Sequence, residues 1–215
     1  MRNDEAEAFR ERPGRLTTER LELVPLTLDE FALYLSDGVA FAEAVRLVEP
    51  PREPDAETSA ALNWLFENAL ALDAASLCWA TLWAPILRSE NRVVGGFCFK
   101  GPPRTLFDFL KTAPNFNVDD ATVRAVSTLN AVAEIGYVVD KAFRGRGLAT
   151  ETVGALVDWG RDRADVGVFV AETLTANLPS RRVLEKNGFR RCGESADALF
   201  WSVDVSRRKS EKTVF

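Results

Sequence analysis

Ala133-Glu-Ile-Gly-Tyr-Val-Val139, followed by Asp140-Lys-Ala-Phe-Arg-Gly-Arg-Gly147 and then by residues 148–163, reads as a strand, a basic glycine loop and an amphipathic helix. The first run mixes β-branched, aromatic and aliphatic residues, and Asp140 opens the loop. From Leu148 onward, Ala149, Thr152, Val153, Leu156, Val157 and Gly160 fall on one side of a helical wheel. Thr150, Glu151, Asp158, Arg161 and Asp162 fall on the other, so a half-buried helix is expected.

This junction suits a phosphate. Gly145 and Gly147 let the backbone approach a ligand, a helix N-terminus presents N–H groups with partial positive charge, and Arg144 and Arg146 add cations. The glycines fit no nucleotide fingerprint, because no Lys-Ser/Thr follows them and no Gly-x-Gly-x-x-Gly occurs. An ordinary turn with a solvated basic tip is the other reading, and the loop alone leaves both open.

A second segment adds specificity. Residues 166–174 read as another strand, and Asn177-Leu-Pro-Ser180-Arg-Arg-Val-Leu184-Glu-Lys186-Asn-Gly188-Phe189 follows. Arg144-Gly-Arg-Gly147-Leu-Ala149 resembles the Gln/Arg-x-x-Gly-x-Gly/Ala loop of the GNAT superfamily of N-acetyltransferases. The run from Asn177 to Phe189 resembles the Asn-x-x-Ser…Gly-Phe helix of the same superfamily. Glu134-Ile-Gly-Tyr137 and Arg20-Leu-Glu-Leu23 are most similar to the branch that contains ribosomal-protein N-terminal acetyltransferases. The resemblance covers residues 18–203.

Composition bounds the alternatives. A chain of 215 residues, 47% hydrophobic and 27% charged, can bury one sizeable core. One domain is expected over residues 16–205, with a flexible arm at 1–15, an insertion at 102–130 and a charged tail at 206–215. No run reaches the roughly 20 apolar residues of a membrane span, and residues 1–15 are too charged for a signal peptide, so a cytoplasmic protein without a membrane partner is expected. Cys78, Cys98 and Cys192 are odd in number and widely spaced, which argues against disulfides or a zinc site and leaves them as core thiols. The absence of histidine removes His-dependent hydrolase triads and imidazole metal sites. A formal charge of −5 disfavours a nucleic-acid partner and mildly favours cationic substrates such as amines.

Along the chain, Leu21, Glu22 and Leu23 alternate as a first strand. Thr27-Leu-Asp-Glu30 has capping-box spacing before residues 31–35, and Asp55 can cap a helix over 58–72 in which Leu62, Leu65, Phe66, Ala69 and Leu70 form an apolar stripe. Residues 76–87 and 92–100 read as two strands joined at Ser89-Glu-Asn91, with Pro85 implying a bulge or an edge. In the long 102–130 interruption, Leu106, Phe107, Phe109 and Leu110 cluster and Asp119 can cap a short helix. A substrate wall, a homodimer contact and a decorated hairpin are its three readings. Residues 190–193 read as a polar turn and 199–205 as a closing strand. The order is that of an α/β (α+β) fold with a mixed, mostly antiparallel central sheet and helices on both faces.

The resemblance implies more. The GNAT fold carries a splayed strand pair, and acetyl-CoA, the co-substrate, would lay its pantetheine against Gly136, Tyr137, Val138 and Val139, with Gly136 permitting a bulge. Its phosphates would meet Arg144, Gly145, Arg146, Gly147, Leu148 and Ala149, and Asn177 and Ser180 would contact the pantetheine side. Asn177 as a plain helix cap is the other reading. The reaction implied is direct attack of an amine on the acetyl thioester, the acceptor being a small molecule or a protein N-terminus, with no metal. An alkyl ammonium, with a pKa near ~10, must first lose a proton. Glu134 is the first candidate to accept it and Glu172 the second, although Glu134 paired with an arginine is an equal structural reading. A backbone N–H near Gly136 or Tyr137 would hold the oxyanion. The tyrosine that the family often uses to protonate the thiolate corresponds to Leu184, leaving Ser180 or water as the acid. A CoA-binding sensor or assembly module without catalysis is the alternative function.

Overall fold

The computed structural model describes residues 14–112, 131–163 and 166–205. The expected arm, save its last two residues, the charged tail and the 113–130 part of the insertion, with its Asp119 cap, lie outside the described residues. The chain divides into two compact units, Met1–Pro102 with Gly136–Thr152, and Pro103–Ile135 with Val153–Phe215. Each is described by itself.

The first unit opens with β1 (Leu16–Thr17) and β2 (Leu21–Pro25), followed by helices α1 (Leu28–Ser36), α2 (Gly38–Val45) and α3 (Ala56–Ala69). The expected capping box exists: Thr27 Oγ1 accepts from Glu30 N and the Glu30 carboxylate accepts from Thr27 N. Asp37 closes α1 through its backbone and caps α2 through its carboxylate, which accepts from Val39 N and Ala40 N. Asp55 caps α3 by accepting from Thr58 N. Each cap satisfies donors that the first helical turn leaves over, a gain of about 1 kcal/mol. Behind these helices Phe31, Phe41, Leu62, Leu65 and Ala69 are buried with Val24, Leu82, Ala84 and Ile86 of the strands. Leu70, expected on the apolar stripe, is 58% exposed because α3 has ended.

Three further strands complete this part of the sheet, β3 (Leu82–Leu87), β4 (Arg92–Val93) and β5 (Gly95–Phe99). Together with β6 (Val132–Val139) they give the order β1-β2-β3-β5-β6, with β4 beside β3. The apolar run 76–87 is not one strand, as the sequence suggests. Leu77–Trp79 forms a 3-10 turn, Trp83 Nε1 donates to Cys78 O, and Thr81 Oγ1 donates to Leu26 O, so ladder pairing begins only at Leu82. Pro85 marks the expected bulge. Ile86 pairs with Val93, Trp83 pairs with Phe97, and the register slips by one residue between them, where Val94 N donates to Pro85 O.

The second unit contains α4 (Leu106–Thr112), the first half of β6, the larger part of α5 (Leu148–Arg161), β7 (Val168–Leu174), α6 (Leu178–Lys186), β8 (Arg190–Glu194) and β9 (Ala198–Asp204). Its strand order is β6-β7-β9-β8, parallel at β6–β7 and antiparallel elsewhere. The insertion's apolar cluster divides: Phe109 is 1% exposed against Val132, Val168, Val170, Ala198 and Phe200, while Phe107 is 70% exposed. Residues 190–193, expected as a turn, are strand β8. This strand ends the sheet order, and its charged, mostly exposed residues suit an edge that must not recruit another chain. The three cysteines form no disulfide and are half-buried, Cys98 and Cys192 packing against the core clusters. Among the described residues, nine strands and six helices make a mixed, mostly antiparallel sheet fold, and no helix is long and apolar enough to cross a membrane.

Gly95 shows how tightly β5 and β6 are built together. Its φ is 153°, and a Cβ there would stand 2.2 Å from the Val138 carbonyl oxygen, a backbone atom that no rotamer can move aside. Gly95→Ala is expected to destabilise the protein by about 3 kcal/mol or to prevent folding, as read by urea denaturation.

Candidate active site

Strand β6 delivers the site. Side chains alternate along it, so Glu134, Gly136 and Val138 share one face. Glu134 is half-buried and lies opposite Val170 in the short ladder Val132↔Val168, Ala133↔Phe169, Glu134↔Val170. Tyr137 faces the other way and stacks on Phe97, with ring centroids 5.4 Å apart. A Cβ at Gly136 would stand 3.4 Å from both Cys98 Sγ and Lys100 Cε, and Cys98 Sγ donates weakly to Gly136 O at 3.6 Å. Val139 O accepts from Arg144 Nε at 2.8 Å.

After β6 the chain makes a 3-10 turn at Lys141–Phe143 and enters the glycine loop. Gly145 and Gly147 have φ values of 75° and 77°, in the left-handed region where a side chain is strained. A Cβ at Gly145 would meet nothing within 4 Å, so open space lies before the loop. Helix α5 begins at Leu148, whose side chain is 1% exposed, and the first N–H groups of a helix lack intrahelical partners. Ala149 is half-buried in the same turn.

The two arginines assigned to the anion from sequence have other partners. The Arg146 guanidinium pairs with Glu90 at 2.8 Å and lies 5.5 Å from the centre of the Phe143 ring. Arg92 lies 5.0 Å from the same ring and pairs with Glu90 at 3.4 Å, so Phe143 has a cation on either contact and Glu90 joins both. Arg144 is tied to Val139 O. A cation from outside the loop, Arg20, stands beside Gly147: its Nη2 would be 3.5 Å from a Cβ there. Arg20 Nη1 donates to Arg146 O, and its Nε and backbone N donate to the two carboxylate oxygens of Glu151. Thr18 Oγ1 donates to Glu151 Oε1 at 2.5 Å. The sequence places Glu151 on the solvent side of α5, and only a charge-compatible pairing with Arg20 could have hinted at this clamp. Trp159, 9% exposed, was likewise absent from the wheel's apolar side.

Two carboxylates near the loop titrate in opposite directions. Partial burial pushes Glu151 up, but hydrogen bonds from Thr18 and from the Arg20 backbone and side chain outweigh it and hold Glu151 below the usual carboxylate range. Burial pushes Asp140 up, and Arg52, Arg144 and Arg92 offset this only in part. Tyr34 is raised by burial first and by Asp140 second, and so stays a neutral phenol.

In the second unit, Asn177 is the N-cap of α6: its side-chain oxygen accepts from Ser180 N at 3.2 Å. Ser180 is half-buried, Glu172 is exposed on β7 opposite Phe200, and Leu184 is fully buried. The structure thus gathers the β6 and loop residues in one continuous segment and places Asn177 and Ser180 on one helix start. Among the described residues no group of three or more His, Cys, Asp or Glu is arranged to hold a metal ion.

The acetyltransferase (GNAT) domain model matches residues 20–190. The chain belongs to the GNAT acetyltransferase family. A probable N-acetyltransferase of Bacillus subtilis (strain 168), YjcK, is 37% identical over 35% of this chain and 45% of its own length. The uncharacterized N-acetyltransferase YjdG of the same organism is 33% identical over 55% of this chain and 56% of its own. The chain spans about half the length of the curated relatives it matches. Among solved structures, the ribosomal L7/L12 α-N-protein acetyltransferase RimL in complex with coenzyme A superposes with a TM-score of 0.53, covering 89% of this chain and 97% of that one. At 16% identity that likeness shows the GNAT fold.

The two carboxylates give opposite expectations. A depressed folded pKa stabilises above the unfolded value and is lost as pH falls, so Glu151→Gln should cost about 1 kcal/mol at pH 7 after solvent screening. The cost should fade as pH drops below the ordinary glutamate value near ~4.3. A raised carboxylate pKa favours the fold at low pH and loses that stability as pH rises through it. Asp140→Asn should therefore raise Tm at pH 7, and thermal melts of both variants at pH 7 and pH 3 check the pair.

Proposed function

We propose that this GNAT protein is an acetyl-CoA-dependent N-acetyltransferase that moves an acetyl group to a primary amine within a ternary complex, a protein N-terminal amine being one acceptor class. The observation that carries this reading is the β6–loop–α5 junction. Two left-handed glycines open the backbone, space lies in front of Gly145, and the loop's side chains are held aside by their own partners. These features fit a diphosphate bound by backbone N–H groups of Gly145, Arg146, Gly147, Leu148 and Ala149, with the Arg20 guanidinium beside Gly147. Gly136, Tyr137, Val138 and Val139 offer the backbone edge for a pantetheine chain, and from the resemblance Asn177 and Ser180 would contact its amides.

In the reaction the amine nitrogen bonds to the thioester carbonyl carbon, the C–S bond breaks, and the sulfur leaves with its electron pair. Glu134, half-buried on β6, takes the ammonium proton directly or through water, with exposed Glu172 as the second candidate. A backbone N–H near Gly136 or Tyr137 holds the developing oxyanion. Ser180 or water protonates the thiolate, and the second proton that the nitrogen sheds as the amide forms replaces the one given up.

One observation favours a second reading. Leu184, at the place of the family's tyrosine, is fully buried and offers no proton, as a CoA-binding sensor or assembly module without catalysis would allow. Thiol release on mixing acetyl-CoA with a panel of amines and N-terminal peptides separates the two.

Gly147→Val should abolish CoA binding in titration calorimetry, whereas Arg146→Ala, whose guanidinium already serves Glu90, should leave most of it. Glu134→Gln should lower kcat by roughly 100-fold with CoA affinity nearly intact. Full CoA affinity in Gly147→Val contradicts the phosphate assignment, and full activity in Glu134→Gln moves the proton to Glu172 or solvent.

A further inference from the structure

Two side chains from the neighbouring strand crowd Gly136. Cys98 on β5 and Lys100, which directly follows that strand, are two residues apart and so share one face of the sheet, while Phe97 turns to the other face and stacks on Tyr137. A Cβ at Gly136 would stand 3.4 Å from Cys98 Sγ and 3.4 Å from Lys100 Cε. Lys100 is half-buried, and the far end of its stem lies across β6 at this glycine, with the amine nitrogen one single bond further on. A lysine commonly lays its stem on apolar surface so that its head reaches water. Here the stem leads the head to the residue at which the proposed pantetheine contact begins.

On the acetyl-CoA reading, the pantetheine runs along residues 136–139 and the thioester lies at the Gly136 end, away from the phosphates at 145–149. The primary amine of Lys100 is then a nucleophile of the chain itself beside the acetyl carbon. Its attachment to the end of β5 replaces the chance encounter that a free amine must make. The other described lysines stand elsewhere along the chain: Lys141 follows β6 at its loop end, and Lys111 and Lys186 are exposed on α4 and α6.

We infer that Lys100 is an acetylation site of the chain itself, its Nζ taking the acetyl group of bound acetyl-CoA when no acceptor is present. The inference rests on the acetyltransferase reading for the position of the thioester. Nζ, after losing one proton to the base or to solvent, bonds to the carbonyl carbon. The C–S bond breaks, the sulfur leaves with its electron pair and is protonated, and the nitrogen sheds a second proton as the amide forms. Because the amide stays on the chain, the transfer happens once per molecule, and it replaces an ammonium beside Gly136 by a larger neutral group.

The test incubates the full chain with acetyl-CoA and no amine, maps acetyl-lysine by peptide mass spectrometry and reads acetyl-CoA binding in parallel by calorimetry. Lys100 should be acetylated at least roughly 10-fold faster than Lys111, Lys141 and Lys186, as a held amine outpaces one that is not. Excess desulfo-CoA, which carries the same phosphates and no thioester, should remove that advantage. Lys100→Arg, which keeps the charge, should lose the single fast release of thiol. Acetyl-CoA binding with Lys100 modified no faster than the other three lysines, a Lys100 rate indifferent to desulfo-CoA, or an unchanged fast release in Lys100→Arg overturns the inference and leaves the acetyltransferase reading standing. Absence of acetyl-CoA binding overturns that reading and the inference with it.

Discussion

The left-handed turn at Gly145 and Gly147 sets what the end of β6 can do, and that turn is held from outside itself. Glu151, one turn into α5, accepts from Thr18 Oγ1 and from both the backbone and the guanidinium of Arg20; Arg20 in turn donates to Arg146 O. The segment entering the first long strand is thereby tied to the helix start and to the loop in one network. Positive φ at two positions costs a glycine little, but it also leaves the loop free to sample other shapes. The clamp removes that freedom, as the fixed N–H directions of the proposed anion site would require.

The electrostatics around the loop follow from which charges are already paired. Glu90 takes Arg146 and Arg92, and Phe143 lies against both guanidinium groups, so two of the local cations stabilise the loop's frame and are not simple ligands. On the proposed reading, backbone amides then carry the anion site, with Arg20 beside Gly147. A few residues away the balance reverses at Asp140, whose carboxylate is partly desolvated and unpaired among the described residues. Glu151, held by several donors, and Asp140, whose carboxylate has no partner among the described residues, thus sit at the two ends of the same loop.

Much of this was legible in the sequence. The capping box at Thr27 to Glu30, the Asp55 cap, the β6 run and the basic glycine loop are local patterns, and each forms as its residues dictate. Where tertiary pairing decides, local reading fell short. Leu77–Trp79 has strand-like composition but turns as a 3-10 helix because Trp83 and the Asp73–Ser76 turn use its surroundings. β8 has turn-like composition because it ends the sheet order. Glu151 looks like a solvent-facing helix residue until Arg20, 131 positions earlier, is brought beside it.

Amide hydrogen exchange with and without acetyl-CoA is the most direct measurement of the central claim, that backbone N–H groups of a clamped glycine loop bind the co-substrate's phosphates. The account predicts that saturating acetyl-CoA slows exchange most at residues 145–149, with further slowing over 136–139. Unchanged exchange across 145–149, with acetyl-CoA bound and protection appearing elsewhere, would contradict it.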